Sequence, residues 1–232
     1  MTQVIFWAWQ IAWAPSFKEC KEKQAQAVLE YAYQNGITSF DTAPVYGMGK
    51  SEERIWKYLK PYRKDIQIIT KFWFDWWEEK NTFIDLSPEW IEKQLNKSLE
   101  RLQTDYVDIY YSHEDDLKVP TEDTLGKYTE LISAGKIRYI AASQHSGTRL
   151  QHALDTAKAN NLASYIALQD HYNLITRNPF EAEQAAVVTK NGLSALPFYG
   201  LAKGFLSGKY RPGVTVESVR AEAVKEYMTP TG

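Results

Sequence analysis

Asp41, Tyr46, Lys71 and His113 are the side chains whose types could move a proton together. A phenol has a pKa near 10, so Tyr46 is a poor proton donor unless its anion is stabilised. An adjacent Lys71 ammonium would lower that pKa. Asp41 could keep such a lysine charged and in place, and His113 could hydrogen-bond a substrate oxygen. Together they describe a general acid for a carbonyl becoming an alkoxide, an effect of about 10²–10⁴-fold. A carbonyl that takes up a proton must also take up a hydride, which no side chain supplies, so the chemistry requires a nicotinamide.

The elements that must position these groups are legible as a repeat. Short apolar runs recur along the chain: "VIFWA", "ITSFDT", "IQIITK", "YVDIYYS", "RYIAAS", "YIALQ" and "LSALPF". They are continuous and not alternating, as expected of strands buried on both faces. Helical patterns lie between them. Ala25, Val28, Leu29 and Ala32 fall at i, i+3, i+4 and i+7, and so do Leu150, Ala153, Leu154 and Ala157. Gly36 and Gly135 stand where helix C-caps belong, while Ser87-Pro88 and Asn178-Pro179 read as an N-cap followed by proline at the first helical position. Repeated βα units fit a (β/α)8 barrel or an open doubly wound sheet. No G-x-G-x-x-G follows the first strand, which weakens the second version. No linker or low-complexity tract breaks the chain, so a single domain over residues 1–232 is expected.

The polar residues share one position in that repeat. Asp41, Lys71, His113, Ser143-Gln144, Gln169 and Phe198-Tyr199 close six consecutive strands. In a βα barrel all these ends lie on the face where the loops form the active site. A lone aspartate after a strand is usually a turn or cap residue; six successive polar or aromatic strand ends are harder to read that way. Asp115-Asp116 reads more blandly, as a solvated loop after His113. His145, His152 and His171 have no metal-ligand spacing, and no metal site is expected. Ser112 and Ser143 lack the G-x-S-x-G setting of a nucleophile.

Composition sets outer bounds. The 232 residues carry 27 Lys+Arg against 29 Asp+Glu, a formal net charge of −2. That balance argues against non-specific nucleic-acid binding. Cys20 is the single cysteine, so no internal disulfide can form and a reducing, cytoplasmic setting is expected. The apolar opening "VIFWAWQIAWAP" has no basic residue before it and is too short to span a bilayer, which takes about 20 residues. It reads as a buried first strand and a turn, with no membrane partner. Aromatics make up 14% of the chain, with 8 Trp, clustered in "FWAWQIAW" and "KFWFDWW", where they could be core or could wall an apolar pocket.

The motifs resemble those of the aldo-keto reductases. "FDTAPVYGMGKSEE" resembles that family's Asp-Thr-Ala…Tyr-Gly-x-Gly-x-Ser-Glu signature, and "IITKFW", "DYVDIYYSHEDD", "GKIRYIAAS", "LQDHYNLITR" and "LPFYGLAKGFLSGKYR" follow in family order, over about residues 19 to 228. The resemblance implies a TIM-type (β/α)8 barrel that reduces aldehydes or ketones with NADPH, NADH remaining possible. It implies Tyr46 as proton donor with Lys71 and Asp41 as its partners, and His113 as the residue orienting a small carbonyl substrate. Ser143, Gln144 and Gln169 would meet the nicotinamide carboxamide, Phe198 would stack on its ring beside Tyr199, and Leu201 to Lys209, with Lys203 and Gly204, would wrap the pyrophosphate. Trp7, Trp73, Phe74, Trp76 and Trp77 would line or cover the substrate pocket, favouring apolar or aromatic carbonyls.

Three departures qualify the resemblance. After "LSGKYRPG" only one short helical stretch is expected, Val216 to Tyr227, so the eighth strand, the last helices and the usual 2′-phosphate segment have no counterpart. Trp7 and Ala12 stand where the family tends to place glycines, and they would crowd the cofactor's approach. Gln144 stands where asparagine is usual. Two other readings remain open: a barrel lyase using Lys71 as a Schiff-base nucleophile, and a non-catalytic barrel or nicotinamide-sensing module, since a fold does not guarantee a function.

Overall fold

A computed structural model describes residues 4–12, 20–72, 84–211, 214, 216–218 and 220–228. Its strands are β1 (Phe6–Trp7), β2 (Ser39–Asp41), β3 (Gln67–Phe72), β4 (Val107–Ser112), β5 (Ile137–Ser143), β6 (Tyr165–His171) and β7 (Ser194–Phe198). They form one seven-stranded sheet in chain order, parallel throughout. Helices α1 (Glu22–Gln34), α2 (Lys50–Leu59), α3 (Pro88–Leu102), α4 (Thr121–Ser133), α5 (Gly147–Asn160) and α6 (Ala185–Lys190) alternate with the strands. This is the βα repeat read from the apolar runs.

The sheet curls. Gln169, in β6, donates a hydrogen bond of 2.9 Å to Asp41, at the end of β2. In a flat sheet those strands would be four spacings, about 19 Å, apart. Along each strand the side chains alternate between two layers. Ile68, Phe72, Tyr110, Ile140, Ala142 and Leu168 pack outward under the helices, while Ile69, Ile109, Tyr111, Ala141, Ala167 and Leu196 gather inside. Because the period of a strand is two, the next inward position above Ile69 is Lys71, above Tyr111 is His113 and above Ala141 is Ser143. The same step puts Gln169 above Ala167 and Phe198 above Leu196. One parity rule thus aims five strand ends at a common interior.

β1 and β7 do not pair with each other, and among the described residues no eighth strand stands between them. A cavity of about 400 Å³ opens there, with Ile5 and Trp7 on one wall and Ala195, Leu196 and Pro197 on the other. Proline lacks the amide hydrogen of a central strand, and an edge strand tolerates it.

Several local expectations were refined. Gly36 (φ 85°) and Gly135 (φ 73°) follow α1 and α4 in the left-handed region, and Ser87 caps α3 by accepting from the Trp90 amide. All four apolar residues of the α5 stripe are buried, but on α1 Val28 is exposed, facing an open groove shared with Val4 and Ile37 beside β1. After Pro179 the chain makes a π turn over Phe180–Gln184 before α6. "VIFWA" yields only two strand residues, followed by a 3₁₀ turn over Ala8–Ile11. Ser51 Oγ, on α2, donates to the Ala8 carbonyl at 2.9 Å and Arg54 donates to the Ile11 carbonyl, so the helix fixes that turn. The single helix expected over Val216 to Tyr227 is instead a turn with a 3₁₀ segment at Lys225–Tyr227. Val224 and Tyr227 there pack on Ala202 and Tyr210 in a small separate cluster, so tertiary contacts override helical propensity.

Candidate active site

The loop from β2 to α2 carries Tyr46, and its sequence explains how it is held. Thr42 Oγ1 donates to Ser51 Oγ at 2.8 Å. Gly49 has φ 85°, and a Cβ there would lie 2.4 Å from Arg101 Cδ. Arg101 Nε reaches the buried Glu52 carboxylate at 2.5 Å, and the other Glu52 oxygen accepts from Thr70 Oγ1 at 2.7 Å. Glu52 therefore ties the loop to β3 at Thr70, the residue next to Lys71, while Ser51 ties it to Thr42 after β2 and to the Ala8 turn. Glu52 of "GKSEE" thus holds the loop in register with the strand that carries the lysine.

Tyr46, Asp41, Lys71 and His113 are all buried. Lys71 Nζ makes an ion pair with Asp41, donates to the Thr42 carbonyl at 3.0 Å, and lies 3.5 Å from the Tyr46 hydroxyl. Burial alone would depress the Lys71 ammonium, but Asp41 and then Tyr46 more than offset it and leave its pKa raised. Lys71 stays charged. Burial is also the largest influence on Tyr46 and raises its pKa; Lys71 pulls it down, Asp41 pushes it up and Trp7 pulls it down again, with a net rise. The expected lowering by Lys71 is present but outweighed by burial, so the phenol keeps its proton at neutral pH. Burial, and after it the Lys71 charge, hold the His113 imidazolium well below the ordinary histidine range. His113 is thus a neutral imidazole, able to donate or accept one hydrogen bond. A protonated phenol beside a fixed ammonium and a neutral imidazole can release a proton to an oxygen placed between them.

Tyr46 and His113 open on a cavity of about 310 Å³, walled further by Trp9, Val45 and Gln144. Trp7, Gln169, Phe198 and Tyr199 line both this cavity and the larger one between β1 and β7. Ser143 is buried at the smaller cavity. Gln144 adopts φ 55° and turns its amide to the His113 carbonyl at 3.2 Å and to Glu114 at 3.4 Å. Phe198 stacks on His171, centroids 5.5 Å apart, and Tyr199 meets Trp7 edge-on at 5.5 Å.

The larger cavity continues to Gly200, Leu201, Lys203, Gly204 and Arg220. Lys203 pairs with Glu226 at 2.9 Å, and Arg220 donates to the Lys203 carbonyl at 3.2 Å. Lys209 is not among its lining residues; its ammonium turns to Ser218 at 3.5 Å. Trp73, Phe74, Trp76 and Trp77 lie outside the described residues. Asp115 and Asp116 are more than a solvated loop. Asp115 makes a two-pronged contact with Arg149 at 2.7 and 3.0 Å. Asp116 is buried and accepts from the Leu86 and Lys118 amides. Arg220, Trp9 and Glu52 were not singled out from sequence. The Trp cluster signalled Trp9, and the "SEE" of the motif signalled Glu52. Nothing local marks Arg220, which reaches the cavity only through the fold of residues 220–227.

A curled parallel βα sheet with these groups at its strand ends defines a class, and comparison with known proteins places the chain within it. The sequence profile of the Aldo/keto reductase family matches residues 3–228, and the chain belongs to that family. It is 34% identical over 190 residues to probable aldo-keto reductase 1 of Glycine max, covering 82% of this chain and 53% of that protein. It is 37% identical over 198 residues to aldo-keto reductase YhdN of Bacillus subtilis, covering 84% and 57%. The holo structure of aldo-keto reductase AKR11C1 from Bacillus halodurans superposes with a TM-score of 0.78 at 26% identity, over 91% of this chain and 66% of that one. The chain spans about half the length of the curated relatives it matches. No helix among the described residues is long and apolar enough to cross a membrane.

Proposed function

We propose that this chain carries the reaction centre of a nicotinamide-dependent carbonyl reductase, with Tyr46 as the proton donor. The observation that carries the reading is the Tyr46 hydroxyl, protonated and cavity-lining, 3.5 Å from a buried lysine that is held charged. Tyr46 gives its proton to the carbonyl oxygen, and Lys71 stabilises the phenolate left behind. Asp41 keeps Lys71 charged and in place, and His113 donates from its neutral ring to the same oxygen. The apolar and aromatic walls Trp7, Trp9, Val45 and Phe198 favour an apolar or aromatic aldehyde or ketone over a charged one.

The larger cavity suits a dinucleotide of the NADPH type, NADH remaining an alternative. A Cβ on Gly200 would have no atom within 4 Å and one on Gly204 only Arg220 Cδ, at 4.0 Å, so the backbone there admits a close ligand. Lys203 and Arg220, with Leu201 beside them on the cavity wall, supply positive charge for a pyrophosphate, whereas Lys209 is turned to Ser218. Phe198 and Tyr199 offer aromatic faces, and Ser143, Gln144 and Gln169 offer polar groups for a carboxamide. A nicotinamide held there supplies the hydride that no side chain can.

The lyase reading fares worse. A Schiff base needs a neutral amine, and Lys71 is buried against Asp41 with its pKa raised. The test is a titration of the chain with NADPH, followed by tryptophan fluorescence, with turnover of an aromatic aldehyde measured alongside. Saturable quenching with aldehyde-dependent NADPH oxidation is expected. Quenching without turnover would point instead to a nicotinamide-sensing module, and borohydride trapping of Lys71 with a carbonyl would revive the lyase.

A further inference from the structure

A phenolic oxygen has one hydrogen to give and two lone pairs to accept with. Two N–H groups reach the Tyr46 oxygen: Trp7 Nε1 at 2.9 Å and Lys71 Nζ at 3.5 Å. An indole N–H can only donate, so the direction of the shorter bond is fixed. With both acceptor positions taken, the phenolic hydrogen is left to point at a third partner. The open space around that hydroxyl is the cavity shared with His113 and Gln144.

The Trp7 ring is also well placed and well held. It packs on Trp9 at 5.1 Å and edge-on to Tyr199 at 5.5 Å. It lines both cavities, so it stands at the seam where a hydride source on one side and a carbonyl on the other would meet. A packing role alone would require the ring but not its N–H.

We propose that Trp7 is a catalytic residue of this site, its indole N–H aiming the Tyr46 proton at the substrate and then sharing with Lys71 the stabilisation of the phenolate. This rests on the reductase reading. The step balances: the Tyr46 O–H bond breaks, an O–H bond forms on the substrate oxygen, and the carbonyl carbon takes a hydride as the nicotinamide is oxidised. The phenolate then regains a proton from solvent. Hydrogen bonds to an ionised acceptor are about twice as strong as neutral ones. The Trp7 bond therefore strengthens as the proton leaves, which favours the transition state over the ground state. Trp7 is among the influences that lower the Tyr46 pKa, after burial, Lys71 and Asp41.

The test places 3,5-difluorotyrosine at position 46 of the full chain, which brings the phenol into an accessible pH range and provides a fluorine signal to titrate. Two changes at position 7 remove the donor: Trp7→Phe, and an isostere with sulfur in place of N–H (benzothienylalanine), which keeps the bicycle if the smaller ring fails to fold. Each should raise the phenol pKa by about one unit. With ordinary tyrosine restored, each should lower kcat by roughly tenfold with little change in KM. An unchanged pKa in a folded isostere variant would overturn the proposal and leave Trp7 as a packing ring. A shifted pKa in a chain that reduces no carbonyl would sink the reductase reading while supporting the bond between Trp7 and the phenol.

Discussion

Around β2 and β3 the reactive groups are fixed by the core itself. Lys71 is held by Asp41 and the Thr42 carbonyl, Asp41 also by Gln169, and the Tyr46 loop by Ser51, Glu52 and Arg101. Around β7 and the loop after it the backbone takes left-handed φ at Tyr199 (54°), Ala202 (48°), Lys203 (55°), Gly204 (103°) and Gly208 (82°). Its apolar contacts form the small cluster of Ala202, Tyr210, Val224 and Tyr227, apart from the main core. Non-glycine residues in that region cost about 1–3 kcal/mol each and persist only where their surroundings over-determine them. The two regions face the same cavities, yet one is braced by buried ion pairs and hydrogen bonds and the other by a small satellite cluster. The Tyr46 loop also takes left-handed φ, at Gly47 (59°), Met48 (57°) and Gly49 (85°), so the difference lies in the bracing: the proposed proton-transfer groups are tied to the barrel core, whereas the proposed cofactor grip rests on a satellite cluster.

Substitutions on either side can break that comparison. The largest effect on stability is expected from Lys71→Met, which leaves Asp41 charged and unpaired in the core. Loss of about 3–5 kcal/mol should appear in denaturant melts. Gly49→Ala should cost about 1–3 kcal/mol, because it combines a left-handed φ with a clash against an arginine already committed to Glu52. Adding Arg101→Ala should relieve the clash but not the backbone strain, a pattern a double-mutant cycle would read.

The pH dependence sharpens the same contrast. Burial, and after it the Lys71 charge, depress His113; burial is likewise the main cause depressing His145. The unfolded chain binds protons at these histidines below about pH 6.5 and the folded chain does not. Their contribution is complete above that pH and is lost as pH falls through the depressed folded values, by about 1.4 kcal/mol per pH unit for each histidine. His113→Gln should flatten that slope in melts taken from neutral to mildly acid pH, and an unchanged slope would mean His113 is solvated. The smallest effect is expected from Lys203→Met, whose ion pair with Glu226 is half-exposed: about 0–1 kcal/mol. A cost matching that of Lys71→Met would erase the distinction between the two regions.

How far the sequence disclosed this architecture depends on the range of the interactions involved. Strand ends are legible because a buried parallel strand's apolar run is local, which is why Lys71, His113, Ser143, Gln169 and Phe198 read as strand ends on one face; that they point inward follows from the alternation of layers in the folded sheet. The loop around Tyr46 was legible because turn glycines and the serine–glutamate anchor sit within a few residues of it. From the sequence, Trp7 reads as a wall of the substrate pocket and as crowding the cofactor's approach, not as a partner of Tyr46. Its bond to Tyr46 depends on the 3₁₀ turn at Ala8–Ile11, which is fixed by α2 some forty residues away, and nothing in "FWAWQIAW" encodes that. Val28 followed its helical stripe yet is exposed, because a stripe cannot say whether a neighbour covers it. Val216 to Tyr227 looked helical by propensity, but contacts with Ala202 and Tyr210 decide its path. Lys209 is grouped with Lys203 by the resemblance of the whole segment to the family's cofactor-side motif, and the turns between them send its ammonium to Ser218.

The central claim is that the proton side and the cofactor side act separately, with Tyr46 serving only the first. The most direct measurement compares unsubstituted chain and Tyr46→Phe in parallel, by NADPH titration of tryptophan fluorescence and by turnover of an aromatic aldehyde. The account predicts that Tyr46→Phe keeps the NADPH Kd nearly unchanged and loses about 10²–10⁴-fold in kcat. Equal loss of binding and turnover, or full turnover without the phenol, would contradict it.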